Sequence, residues 1–284
     1  MRAVCCSTYS IRPVNTVATP LSVHSACDNP PFNQFRSTRP AKFQIGVRMS
    51  AILLTGSSRG IGAAAREALE KRGAKVIGHA TSAADENTIP ADFSQPSAPQ
   101  ILWEEALDRA NGHIDVLVNN AGLFKATALD SSDIEWLDGW EETLRINLTA
   151  AAQLSRFAVS HWLDRGVPGR IVHVASRAGY RGDSPAHWHY AAAKGGMLAM
   201  HKTIARGYAA QRIVSFAITP GFTDTAMAGD YLESRGGEQL LRDIPLGRVA
   251  EPAEIARIIE FCSLDAPESM TGAVIDANGA SYVR

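Results

Sequence analysis

From Ser50 onward, short runs rich in Val, Ile and Leu alternate with longer amphipathic stretches, and this alternation narrows the choice of fold more than any other feature. The runs Ala51–Thr55, Lys75–Ala80, Asp115–Asn119, Arg170–Ser176, Ile213–Thr219 and Ala273–Asp276 read as strands, with a weaker one at Thr88–Ala91. Near-continuous apolar strands are those of a parallel sheet with helices on both faces. Helical periodicity fills Gly60–Arg72, Ala98–Ala110, Trp140–Arg165, Trp188–Ala210 and Pro252–Ser263. Pro252 suits a first helical position, and Gly73 and Gly166 stand where C-terminal caps belong. The pattern predicts an α/β fold: a doubly wound, mostly parallel, Rossmann-like sheet with right-handed crossovers, forming one domain over 50–284. The link from Ala80 to Thr88 is too short for a full crossover helix, so the sheet should be trimmed there.

Residues 1–48 are different in kind. They hold Arg2, Arg12, Arg36, Arg39, Lys42 and Arg48 against one acid, Asp28, and are broken by Pro13, Pro20, Pro30, Pro31 and Pro40. No period able to join a core runs through them, so they read as a disordered extension. An Arg-rich, Ser-rich, acid-poor head has the composition of an organelle transit peptide. The alternative is an upstream extension of a chain whose start is Met49. The first reading places the protein in a plastid or mitochondrion, the second in the cytoplasm. Cys5, Cys6 and Cys27 lie in the head and Cys262 alone in the body, which suits a reducing compartment. The formal charge of −1 and the lack of a basic patch argue against nucleic acid, and no apolar run reaches the roughly 20 residues of a membrane span. No His, Cys, Asp or Glu cluster has metal-ligand spacing.

Between the first strand and the first helix stands Thr55-Gly56-Ser57-Ser58-Arg59-Gly60-Ile61-Gly62. Glycines there permit a tight turn, close backbone approach to a pyrophosphate and tight helix–strand packing. The helix N-terminus adds unpaired N–H groups and positive potential. Such loops also occur as simple turns; the position after strand one favours a dinucleotide.

Tyr190 and Lys194 are spaced i, i+4 and share a helix face. A nearby ammonium stabilises phenolate and lowers the phenol toward working pH, making a proton donor or acceptor. An amphipathic helix that happens to carry both residues would look the same. Ser176, at the end of a candidate strand, and Asn119-Asn120-Ala121-Gly122, at the end of another, fall on the sheet edge where such folds bind ligands.

Together these residues resemble the compact, single-domain form of the short-chain dehydrogenase/reductase family, over essentially all of 50–284. Thr55–Gly62 matches its TGxxxGxG loop, Asn119–Gly122 its NNAG, and Asn147, Ser176, Tyr190 and Lys194 its catalytic tetrad. The resemblance implies the roles. Tyr190 is the acid/base, Ser176 orients the carbonyl, and Lys194 lowers the Tyr190 pKa and holds the nicotinamide ribose. Asn147 kinks its helix and holds a water. Gly56, Ser57, Ser58, Arg59, Gly60, Ile61, Gly62, Asp92, Asn119, Ala121, Gly122, Pro220, Gly221 and Thr225, with Tyr190 and Lys194, would bind the cofactor. The "PLGRVAEPAEIA" stretch is similar to 3-oxoacyl-carrier-protein reductases, making a carbonyl or acyl-thioester reductase the first expectation. A sugar or polyol dehydrogenase is the second, and a silent dinucleotide-binding scaffold the third.

Three features bear on finer detail. The second strand ends Gly78-His79-Ala80-Thr81-Ser82, with no acid until Asp85, and Arg59 can reach the same point, so NADP(H) is expected over NAD(H). His187, Trp188 and His189 crowd Tyr190 and either shape a polar or aromatic pocket or simply pack. Helices matching Trp140–Arg165 and Trp188–Ala210 pair across two-fold axes in the family, and Ala150–Ala152 and Ala191–Ala193 would let them approach in a homotetramer or homodimer.

Overall fold

The structure is a computed structural model that describes residues 49–82, 85–225 and 241–284; the head over 1–48 and the stretch 226–240 lie outside the described residues. Seven parallel strands form one sheet in the order β3-β2-β1-β4-β5-β6-β7. They are β1 (Ala51–Leu54), β2 (Lys75–Ala80), β3 (Thr88–Pro90), β4 (Val116–Asn119), β5 (Gly169–Val174), β6 (Ile213–Pro220) and β7 (Val274–Ala277). The helices are α1 (Gly60–Lys71), α2 (Ala98–Arg109), α3 (Asp133–Leu144), α4 (Ala150–Arg165), α5 (Ala178–Arg181), α6 (Trp188–Tyr208) and α7 (Pro252–Glu260).

The sheet is covered on both faces, as its apolar strands require. On one side, Leu53, Leu117 and Ile171 pack with Leu102 and Trp103 of α2 and Leu154 and Trp162 of α4. On the other, Ile52, Val118 and Phe216 pack with Leu69 of α1 and Ile255 and Ile259 of α7. Strand β3 joins β2 after only seven residues, without the usual crossover. This is possible because Thr88 pairs beside Gly78, so the chain steps back only two residues along β2.

The structure departs from the sequence expectations at particular elements. The helix expected from Trp140 begins at Asp133, under a capping box in which Ser132 Oγ accepts from the Glu135 N–H and the Glu135 carboxylate accepts from the Ser132 N–H. That helix does not run uninterrupted to Arg165, because a π-helical turn at Arg145–Thr149 joins α3 to α4. Likewise α7 ends at Glu260 and a π turn follows at Phe261–Asp265. Ser176 lies two residues beyond β5 rather than within it. Ala150, Ala151 and Ala193 are buried inside the chain, and of the two alanine runs only Ala192 is exposed.

Candidate active site

Strand order reverses between β1 and β4, so the connections leaving their carboxyl ends diverge and open a crevice. Two polar side chains and one glycine lock its floor. Thr55 Oγ1 accepts from the N–H groups of Asn120 at 2.9 Å and Ala121 at 3.0 Å. Asn120 Nδ2 donates to the carbonyls of Thr55 and Gly56 at 2.9 and 3.0 Å. Gly62 packs so tightly that a Cβ there would stand 1.9 Å from the Gly56 oxygen, so this approach of helix to loop admits only glycine.

The cleft has a volume of about 470 Å³. At one end Gly56, Ser58, Arg59, Gly60, Ile61 and Gly62 line it, with Asp92 at the mouth. Ala121, Gly122, Pro220, Gly221 and Thr225 lie along its length, and Ser176, Tyr190 and Lys194 at the far end. The N-cap of α1, Arg59, makes no side-chain capping bond, and no acid stands in the first turn. The leading N–H groups thus remain available to an anion. Glycine backbone at one end and an uncapped helix N-terminus beside it fit the pyrophosphate of a dinucleotide.

Two expected cofactor residues are not at the cleft surface. Ser57 is buried, its hydroxyl bonded to the backbone of His79 at 3.1 and 3.3 Å. Asn119 is buried behind the sheet edge, donating to Ser155 Oγ at 3.1 Å. The glycine and asparagine motifs mark where the chain turns, not which side chains face the opening. Asn120, named in the sequence only as the second asparagine of its motif, lines the cleft, and so do Phe124, Asp183 and Phe222, which carried no usable signal.

Around the catalytic candidates, the Ser176 hydroxyl accepts from the Ala178 N–H at 3.1 Å, and Ser176 and Tyr190 line the same cleft. Lys194 Nζ donates to the Val174 carbonyl at 2.8 Å and lies 5.8 Å from the Tyr190 ring centroid. Asn147 sits in the π turn behind them, fully buried. A side chain on Gly122 would come within 3.2 Å of Asn147 Oδ1 and 3.7 Å of Lys194 Nζ, so glycine keeps this junction open.

The electrostatics correct one expectation. The Tyr190 phenol is not lowered; burial pushes it up to about 12, against the opposing effect of Ser176, and Asp183 adds to the rise. Burial also lowers Lys194, to about 8. For both groups desolvation of the charged form dominates.

At the cleft's other end, His79 is saturated with partners. Its Nδ1 accepts from the Gly56 N–H at 3.1 Å, its Nε2 donates to the Ala91 carbonyl at 2.8 Å, and its ring stacks on Phe93 at 4.2 Å. Burial lowers it to about 4, so it is neutral near pH 7. Asp85, the first acid after β2, is bound by Arg66 and does not line the cleft. Arg59, Thr81 and Ser82 are exposed there, and Arg59 takes part in no ion pair among the described residues.

His187 and His189 face packing rather than the cleft. His187 lies on Phe124, and His189 bonds Thr127 Oγ1 at 3.0 Å. Trp188 is half exposed, edge-on to Trp136. No group of three or more His, Cys, Asp or Glu able to hold a metal occurs among the described residues, and none of their helices is long and apolar enough to cross a membrane.

A family model described as Enoyl-(Acyl carrier protein) reductase matches residues 56–279. The chain is 34% identical over 241 residues to the acetoacetyl-CoA reductase of Rhizobium meliloti (strain 1021), spanning 81% of this chain and 97% of that protein. It is 33% identical over 242 residues to the 3-oxoacyl-(acyl-carrier-protein) reductase of Vibrio cholerae serotype O1, spanning 81% and 96% respectively. A crystal structure described as a 2-deoxy-D-gluconate 3-dehydrogenase from Agrobacterium tumefaciens, with bound NADP, superposes with a TM-score of 0.72 at 26% identity, over 83% of this chain and 97% of that one. Sheet order, cleft and relatives agree: the chain belongs to the short-chain dehydrogenase/reductase family and is an NAD(P)-dependent oxidoreductase that interconverts a carbonyl and an alcohol.

Proposed function

We propose that the chain reduces the keto group of a 3-oxoacyl thioester with NADPH, and that Tyr190 supplies the proton. The observation that carries this reading is that Tyr190, Ser176 and Lys194 line one cleft with the uncapped N-terminus of α1. A nicotinamide held here would supply the hydride for the carbonyl carbon. The carbonyl π electrons move to oxygen, and Tyr190 gives that oxygen its proton. Ser176, fixed by the Ala178 N–H, holds the oxygen in place. Lys194 holds the nicotinamide ribose and, through Asn147, connects the phenol to a proton source.

The near end fits the cofactor through the backbone of Gly56, Gly60, Ile61 and Gly62. Preference for NADPH rests on Arg59, Thr81 and Ser82 at the mouth, where Asp85 is already neutralised by Arg66 and His79 carries no charge. The test is NADPH oxidation in the presence of an acetoacetyl thioester; lack of turnover at millimolar substrate overturns the assignment.

A second reading is a sugar or polyol dehydrogenase. It is favoured by Asp183, an exposed carboxylate on the cleft wall near Tyr190 that would accept hydrogen bonds from substrate hydroxyls. NADP reduction with 2-deoxy-D-gluconate and no reduction of the thioester would select it. We further propose that residues 50–284 are the working domain and that it assembles as a homodimer or homotetramer. Residues 1–48 would direct import into a plastid or mitochondrion if translated, and a start at Met49 would leave the protein in the cytoplasm.

A further inference from the structure

The loop that carries Ser176 continues into α5, a single turn of four residues held by two other parts of the chain. Gly179 of α5 lies against the α6 backbone, so closely that a Cβ there would stand 2.8 Å from the Lys194 carbonyl carbon and 2.9 Å from the Gly195 nitrogen. The segment after β7 supplies the second hold. Its Tyr282 ring stacks on Tyr180 of α5, with centroids 5.6 Å apart and planes 13° from parallel. Arg181 Nη1 donates to the Ser281 carbonyl at 3.2 Å. Two cations also stand over the Tyr180 ring, Arg284 Cζ at 5.5 Å and Lys202 Nζ at 5.6 Å from its centroid. The segment is itself fixed. Asn278 is buried against Gly221, its Oδ1 accepts from the Tyr282 N–H at 3.2 Å, and its carbonyl accepts from the Ser281 hydroxyl at 2.6 Å. Arg284 donates to Asp276 at 2.9 Å.

We propose that Tyr282 is a positioning residue for the reaction: stacked on Tyr180, it holds α5 against α6 and so fixes Ser176 where it meets the carbonyl. The inference rests on the reading of Ser176 as the group that orients that carbonyl. Two bonds join Ser176 to α5. Its hydroxyl accepts from the Ala178 N–H, and its carbonyl accepts from the Gly179 N–H, each at 3.1 Å. A shift of α5 therefore moves the hydroxyl. A four-residue helix does not hold itself in place, and of these four only Ala178 is buried. By contrast, α6 runs for 21 residues and is anchored by buried Met197, Leu198 and Ile204. Losing the stack thus loosens Ser176 while Lys194 and the cofactor end stay in place. A displacement of about 1 Å at an orienting group is enough to slow the chemical step.

The experiment measures kcat with saturating NADPH and an acetoacetyl thioester, beside NADPH affinity by cofactor fluorescence. Tyr282→Leu is expected to lower kcat about three- to tenfold, the value of one aromatic stack, with NADPH affinity within about twofold of wild type. Tyr282→Phe keeps the ring and should keep kcat within about twofold. Tyr180→Leu should reproduce the loss. The double variant should lose no more than the larger single one, because the stack is already gone. An unchanged kcat in Tyr282→Leu overturns the proposal. So do single losses that multiply in the double variant, and so does a fall in kcat matched by an equal fall in NADPH affinity, the pattern of a general loosening. If the thioester is not turned over, the same comparison is made with 2-deoxy-D-gluconate and NADP, so the thioester reading can fail while the role of Tyr282 is still decided. No turnover of either substrate overturns both.

Discussion

Asn147 grips the backbone of Leu123 at both ends: its Oδ1 accepts from the Leu123 N–H at 2.6 Å and its Nδ2 donates to the Leu123 carbonyl at 2.8 Å. One buried amide therefore ties the π turn between α3 and α4 to the connection that leaves β4. Asn147→Leu keeps the volume and removes both bonds, stranding a donor and an acceptor. Each costs about 1–3 kcal/mol if left unpaired. The expected outcome is a lowered urea midpoint with a larger proportional loss in kcat than in cofactor affinity. Full activity in a destabilised protein would mean the grip is structural only.

Tyr190→Phe keeps the ring, and with it the edge contact to Phe124, but removes the only phenolic proton that lines the cleft among the described residues. A fall of at least about 10²-fold in kcat is expected, since that is the lower range for one acid/base group. Cofactor titration by fluorescence should be unchanged. Activity within a few-fold of wild type would remove Tyr190 from the mechanism.

Arg59 is the exposed cation at the cofactor end. With Arg59→Ala, kcat/KM for NADPH should fall about ten- to a hundredfold, the value of one charge-assisted contact of roughly 1.5–3 kcal/mol, with little change for NADH. Equal losses with both cofactors would show that Arg59 serves the loop rather than a 2′-phosphate.

The neutral state of His79 makes a prediction about pH. Its folded pKa is lowered to about 4 by burial, while the unfolded chain titrates near 6.5. Between those values the unfolded state binds more protons, so stability rises with pH across that window and is lost as pH falls through it. The contribution of this one group is at most about 3 kcal/mol. His161 and His173, lowered by burial in the same sense, add to the slope. Urea midpoints from pH 4 to pH 7 should climb in wild type and climb less in His79→Gln. Parallel curves would contradict the buried neutral imidazole.

A chain beginning at Met49 should fold and retain full activity. Strand β1 starts at Ala51, whose N–H already has a partner in Asp115 Oδ2 at 2.8 Å, and β1 lies between β2 and β4. The check is thermal melting and kcat/KM beside the full chain. A drop in either would show that residues 1–48 contribute to the body.

What could be read from the sequence was what is local along the chain. The β1–α1 glycine loop and the i, i+4 pair of Tyr190 and Lys194 each sit within a few residues, and hydrophobic period alone placed the strands. That Ser57 and Asn119 do not line the cleft was not legible, because a motif locates a turn, whereas the direction of each side chain depends on its dihedral angles. The stack of Phe124 on His187 joins residues 63 apart, and neither carries a mark that names the other. The Tyr190 pKa was misjudged in direction, because spacing shows the nearby cation but not the depth of burial. The start of α3 was legible and overlooked, since Ser132 and Glu135 form an ordinary capping box.

The π turn at Arg145–Thr149 is a place where a change in chain length would be felt by the site before the fold. A π turn holds one residue more than the α turn it replaces. Deleting one of its five residues would let an ordinary α turn close in its place and leave α4 nearly in phase with α3, so Leu154 and Trp162 would still face the sheet. The bulged position of Asn147 would be lost, and with it both bonds to Leu123. A chain shortened by one residue here should therefore fold and yet lose this anchor.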